Sequence, residues 1–245
     1  MTEADTKPSN DARTVEPGRG LAWWSEAWAL FMRSALLWVA LGVILIFGFA
    51  LIGMVPLLGS IATALLMPAF AGGWMLAARK VQDGGTLEVA DLFSAFKGEQ
   101  LTSLIVLGAL FAGATLVAFL VAGVFGAGAA FGLFTGGMRH SAGGMMAGMG
   151  AGALALLVLF AFLLLATAAL WFAPALVVFR KMAPLDAVKA SLAAVISNWL
   201  PFVVYGVIQL LLSIVASIPF ALGWIVLVPV MLLTAFVSYR DVFEA

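Results

Sequence analysis

The sequence predicts an all-α polytopic membrane protein, with six transmembrane helices paired as three hairpins and an interfacial amphipathic helix before each hairpin. Three observations carry this prediction. The first is length. The 245-residue chain contains four stretches free of charged residues, 34–78, 100–138, 141–179 and 190–239. Each is about twice the roughly 20 residues that a helix needs to cross a hydrocarbon core of about 30 Å. The second is composition: 64% of residues are hydrophobic and 10% charged, against about 45–50% and about 25% in soluble domains. The third is charge placement. With the outer stretches folded as hairpins and the middle two as arms of one long hairpin, all of the 12 Lys and Arg except Arg139 lie on one side of the membrane. Cytoplasmic loops retain Lys and Arg, so both termini are expected inside the cell. The 12 acidic residues share that side and bring the formal net charge to zero, but acids contribute little to orientation.

Taken in order, residues 1–20 are polar, contain Pro8 and Pro17 and have no apolar run. They lack the apolar core of a signal peptide and are expected to form a disordered cytoplasmic tail. A single transmembrane domain is expected over 21–245, with spans at 34–54, 57–78, 101–125, 151–179, 199–217 and 220–239. Amphipathic periodicity marks the segments between. In 21–33, Trp23, Trp24, Trp28, Leu30 and Phe31 oppose a sector holding Ser25, Glu26 and Arg33; in 88–97, Val89, Leu92, Phe93 and Phe96 share a face; in 185–199, Leu185, Val188, Leu192, Val195, Ile196 and Trp199 form a stripe opposite Asp186 and Ser197. Helices of this kind lie in the interface with the apolar face down, which makes Trp24, Trp28 and Phe31 expected lipid contacts. The second span of each hairpin carries a proline, Pro68, Pro174 or Pro229, and then reaches an arginine, Arg79, Arg180 or Arg240. An amphipathic helix plus two spans, repeated over 21–80, 86–181 and 184–241, accounts for this order, and repeats of one orientation are related by an axis along the membrane normal.

The middle unit departs from the pattern. Gly128, Gly132 and Gly136 are spaced by four, as are Gly144, Gly148 and Gly152, a spacing that lets helix backbones approach closely. The apolar run 101–135 would make a helix of about 52 Å, longer than the hydrocarbon core. Its arms are expected to project, to tilt strongly or to break at a glycine; a glycine-rich loop is the alternative. An eight-span arrangement, with each middle stretch folded on itself, would bring Arg139 to the side of the other basic residues.

Chemistry-bearing constellations are sparse. The chain has no cysteine and a single histidine, so thiolate sites and catalytic triads have no basis. His140 sits beside Arg139 among Met138, Met145, Met146 and Met149; thioether and imidazole ligands suit Cu(I), but methionine is also an ordinary apolar residue of membrane segments. No cofactor or metal is expected. No ionisable residue lies in the core of any span, where coupled transporters keep one for function. Glu88, Asp91 and Glu99, with Lys97 among them, read as a solvated face. The candidate structural or pathway positions are Pro68, Pro174 and Pro229, each of which frees a backbone carbonyl, together with Gln209 within a span and Asn198 beside Trp199 and Pro201, which reads first as a helix terminator.

The segments Arg13-Thr-Val-Glu-Pro-Gly-Arg-Gly, Val55-Pro-Leu-Leu-Gly, Pro184-Leu-Asp-Ala-Val-Lys-Ala-Ser, Asn198-Trp-Leu-Pro and Ser238-Tyr-Arg-Asp-Val-Phe resemble an uncharacterised group of proteobacterial six-span integral membrane proteins. More distantly, the chain is similar to the membrane domain of some glycerophosphodiester phosphodiesterases, without their hydrolytic domain. The resemblance implies a bacterial inner-membrane protein and transfers no activity. The expected function is a non-enzymatic module that organises lipid or partner proteins, with the lipid bilayer, a membrane protein or a second copy of the chain as partner and no nucleic acid. The alternative is a transporter or channel for a small neutral or lipid-like solute.

Overall fold

The computed structural model describes residues 12–138 and 142–244. Among them the regular elements are all helical: α1 (Arg19–Met32), α2 (Ala35–Gly53), α3 (Leu58–Gln82), a 3-10 helix (Val89–Phe96), α4 (Leu101–Met138), α5 (Ala142–Trp171), α6 (Ala173–Arg180), α7 (Pro184–Ser197), α8 (Trp199–Ser217) and α9 (Trp224–Phe243). Six segments are long and apolar enough to cross a membrane, namely α2, α3, α4, α5 continued by α6, α8 and α9. This is a multi-pass membrane protein, and the spans fall where the uncharged stretches place them.

Local chemistry sets the boundaries. The turn between α2 and α3 passes through Pro56 and Leu57, and Leu57 takes a φ of 64°. Gly59 serves that turn by packing, since a Cβ there would lie 2.0 Å from the Ile52 carbonyl oxygen. Pro174 stands at the start of α6, and the helix breaks before it at Phe172. Pro68 and Pro229, by contrast, lie inside continuous helices. α4 runs unbroken for 38 residues, about 57 Å at 1.5 Å per residue, so neither a break at glycine nor an eight-span arrangement describes it.

The chain divides into two compact units, one made of the chain up to Gly108 together with Ala169 onward, the other of Ala109–Ala168. In the smaller unit, α4 and α5 meet backbone to backbone. A Cβ on Gly132 would lie 2.8 Å from the Gly148 Cα, and one on Gly136 would lie 2.4 Å from the Met145 nitrogen. Gly144 and Gly148 are equally confined from the facing side, while Gly128 has open space around it and Gly152 makes only an ordinary contact with Ala129. The ladder therefore closes at four of its six glycines, and residues 126–138 are helical, not a loop.

In the larger unit, α1 packs on α8 and α9. Trp23, Trp24, Ala27, Leu30 and Phe31 are buried, and a Cβ on Gly20 would lie 2.2 Å from the Pro201 carbonyl oxygen. This corrects the expectation for Trp24 and Phe31, which face protein. The large exposed apolar residues of α1 are Leu21, Trp28 and Met32, spaced 7 and 4 apart along one helix face. The segment 12–20 is also corrected. Part of it begins α1, and the Arg13 N–H donates to the Val242 carbonyl at 3.0 Å; residues 1–11 lie outside the described residues. The second amphipathic segment is a short 3-10 helix capped by Glu88 and Asp91, with Phe93 and Phe96 packed edge-on to Phe70 of α3. In α7 the buried residues are Ala187, Ser191 and Ala194, leaving Leu185 and Ile196 exposed.

Candidate functional site

The densest polar arrangement sits where α1 crosses the end of α9. Asp241, 5% exposed, accepts from Arg13 Nη2 and Arg19 Nε at 2.6 Å each and from the buried Trp23 indole N–H at 2.8 Å. Arg19 also donates to Glu26 at 2.8 Å, and Arg240 reaches the other Glu26 oxygen at 2.8 Å. Burial opposes the charge on Arg19, but the hydrogen bond and charge of Asp241, with Glu26 behind it, raise its pKa above the ordinary arginine value. A carboxylate removed from water is tolerable only when paired and hydrogen-bonded, and each oxygen of Asp241 meets that condition. The arrangement clamps α1, α9 and the segment before α1 together and leaves no free base or nucleophile within it.

Asn198 extends the clamp. Its side-chain oxygen accepts from the Val15 N–H at 2.8 Å, and its amide donates to the Arg13 carbonyl at 3.1 Å and to the Ala194 carbonyl at 2.9 Å. Asn198 thus ends α7 and at the same time holds the segment before α1 as a strap. It is 1% exposed, so its polar groups are spent on backbone. Four further basic residues also have partners. Arg33 donates to the carbonyls of Val81 and Gln82, Arg79 pairs with Glu244, Arg180 donates to the Phe243 carbonyl, and Lys80 bridges Glu88 and Asp91. Two of the three residues read as a solvated acidic face therefore bind back to α3.

The candidate pathway positions are packed. Pro68, Pro174 and Pro229 are all buried. The ring of Pro229 fits against Gly42 of α2, where a Cβ would lie 2.8 Å from its Cγ. Pro68 frees the carbonyl of Ala64, and Gly108 covers it, with 2.5 Å between that oxygen and a built Cβ. Gln209 lies in a polar string between α8 and α9: Tyr205 O–H donates to its oxygen at 3.2 Å, and its amide donates to Ser213 Oγ at 3.1 Å and Met231 Sδ at 3.0 Å. Thr234 donates to the Met231 carbonyl at 2.6 Å. This string glues two helices together. Arg139 and His140 lie outside the described residues.

Beside the string, α1, α8 and α9 enclose an apolar groove of about 570 Å³ that is open to the surroundings. Ile208 and Leu212 line it from α8, Leu227 and Val230 from α9, and Trp24 and Trp28 from α1; it extends to Pro219 and Gly223 at the turn. Trp24 stacks on Tyr205 with ring centroids 5.1 Å apart. Neither the Asp241 clamp nor the groove was anticipated from sequence. A usable sign was Asp241 itself, an acid two residues past a long uncharged span, opposite a strongly aromatic helix that carries Arg19 at its start. No protein-family model, no curated protein and no solved structure matches this chain.

Proposed function

We propose that the protein is a non-catalytic module of the bacterial inner membrane, with both termini cytoplasmic, that organises lipid or a partner membrane protein. Its architecture is read as three hairpins, each led by an amphipathic helix. Support comes from the order of the elements, with α1 before α2 and α3, the 3-10 helix before α4 and α5, and α7 before α8 and α9. The observation that carries the function is α1. Ion pairs lock it across the bundle while Leu21, Trp28 and Met32 remain on its free face. An apolar stripe on a rigidly held helix, flanked by arginines, is a surface for lipid or for another membrane helix.

The transporter reading needs a path past the prolines. Pro229 in its Gly42 notch and the Ala64 carbonyl under Gly108 oppose one. The test is stopped-flow light scattering of proteoliposomes under glycerol and urea gradients. The module predicts reswelling at the rate of protein-free vesicles. A protein-dependent acceleration would replace it with the channel reading.

A further inference from the structure

We propose that the groove between α1, α8 and α9 seats one acyl chain of a bilayer phospholipid from the leaflet at the turn end, with the chain end stopped by Trp24. The inference rests on the lipid-organising reading and names its ligand and site. Three observations support a hydrocarbon occupant. First, the groove offers few free polar atoms: Ser25 Oγ donates to the Ala22 carbonyl at 2.9 Å and the Trp24 indole N–H to the Tyr205 carbonyl at 3.4 Å, which leaves the Trp28 indole N–H as the side-chain donor of the lining. A polar ligand would lose its hydration and gain little hydrogen bonding in return. Second, the volume of about 570 Å³ falls within the roughly 300–1,000 Å³ of ligand pockets.

Third, the length fits one leaflet. Ile208 lies nine residues into α8 and Ser217 nine residues beyond it. At 1.5 Å per residue each part is about 13 Å, close to half of the roughly 30 Å hydrocarbon core. The groove therefore occupies the half of the membrane nearer the turn, and Trp24, on Tyr205 one turn before Ile208, marks its blind end near the midplane. Residues 190–239 contain no charged side chain, so the groove has nothing with which to select a charged headgroup. It discriminates by chain, not by head.

The test uses the full chain in vesicles of phosphatidylethanolamine and phosphatidylglycerol, with a trace of either lipid carrying a photoactivatable diazirine at the end of one acyl chain. After irradiation, mass spectrometry of the digest should place adducts mainly on the peptide holding Trp24 and Trp28, equally for the two headgroups. Val215→Trp, at a groove residue 61% exposed, should lower that yield about tenfold, the effect of keeping roughly two methylenes out of the groove. Leu211→Trp, 58% exposed and outside the groove lining, should retain the parent yield. Melting temperatures confirm that both variants are folded. Adducts spread over the outward residues of α8 and α9, equal yields in the two variants, or a strong preference for one headgroup would each overturn the proposal. Solute flux would end the module reading and leave the groove standing; unselective labelling would do the reverse.

Discussion

Loss of Asp241 should weaken this fold measurably. Asp241→Ala removes the acceptor for Arg13, Arg19 and Trp23. The two arginine side chains are 46% and 33% exposed and regain water, so each pair is worth the roughly 0–1 kcal/mol of a surface ion pair. The Trp23 indole is fully buried, and leaving its N–H unpaired costs about 1–3 kcal/mol. Together the loss is about 3 kcal/mol. Asp241→Asn keeps an oxygen for the indole and should cost only about 1 kcal/mol. At about 2–4 °C per kcal/mol for a chain of this size, the alanine variant should melt roughly 6–12 °C lower in detergent, followed by tryptophan fluorescence. The strap offers a second readout, because the chain has no cysteine and the half-buried Val15 can be replaced by one. Maleimide should label Val15→Cys faster when Asp241→Ala is added. An alanine variant that melts with the parent and leaves the labelling rate unchanged, or an asparagine variant as damaging as alanine, would refute the reasoning.

The glycine ladder and the orientation can be tested in parallel. Ile at Gly132 or Gly148 must separate backbones already in contact and should cost about 1–3 kcal/mol, whereas Ala at Gly128 or Gly150, where nothing lies within 4 Å, should be neutral or stabilise by up to about 1 kcal/mol; melting in detergent separates the two cases. For orientation, single cysteines at residues 5 and 244 should resist an impermeant thiol reagent in intact cells, while one replacing Phe220, 97% exposed at the turn, should react, and the reverse pattern would invert the topology.

The spans were legible because the length of an uncharged run is a local property: 34–54 was expected and Ala35–Gly53 is observed. The glycine ladder was legible in its spacing, but not where α4 and α5 part company at Gly128, since divergence depends on side chains of both helices. The roles within α1 were misjudged for a related reason. Periodicity groups Trp23, Trp24, Trp28 and Phe31 on a broad apolar sector but does not say which edge meets protein, and Asp241, 218 residues from Trp23, decides it. Asn198 was read as a helix end, which it is; the strap it holds comes from 183 residues away. The three prolines look alike in sequence, but the helix is interrupted only before Pro174, while Gly42 packs on the Pro229 ring and Gly108 on the carbonyl that Pro68 frees.

The strap joins Arg13 to α9, and this sets an order of assembly. Arg13 and Asp241 are separated by 228 residues, roughly 10–45 s of synthesis at about 5–20 residues per second. During that interval α1 has been made but α8 and α9 have not, so Trp23, Trp24 and Phe31 lack the surface that buries them. α1 therefore completes its packing only after α8 and α9 are in place.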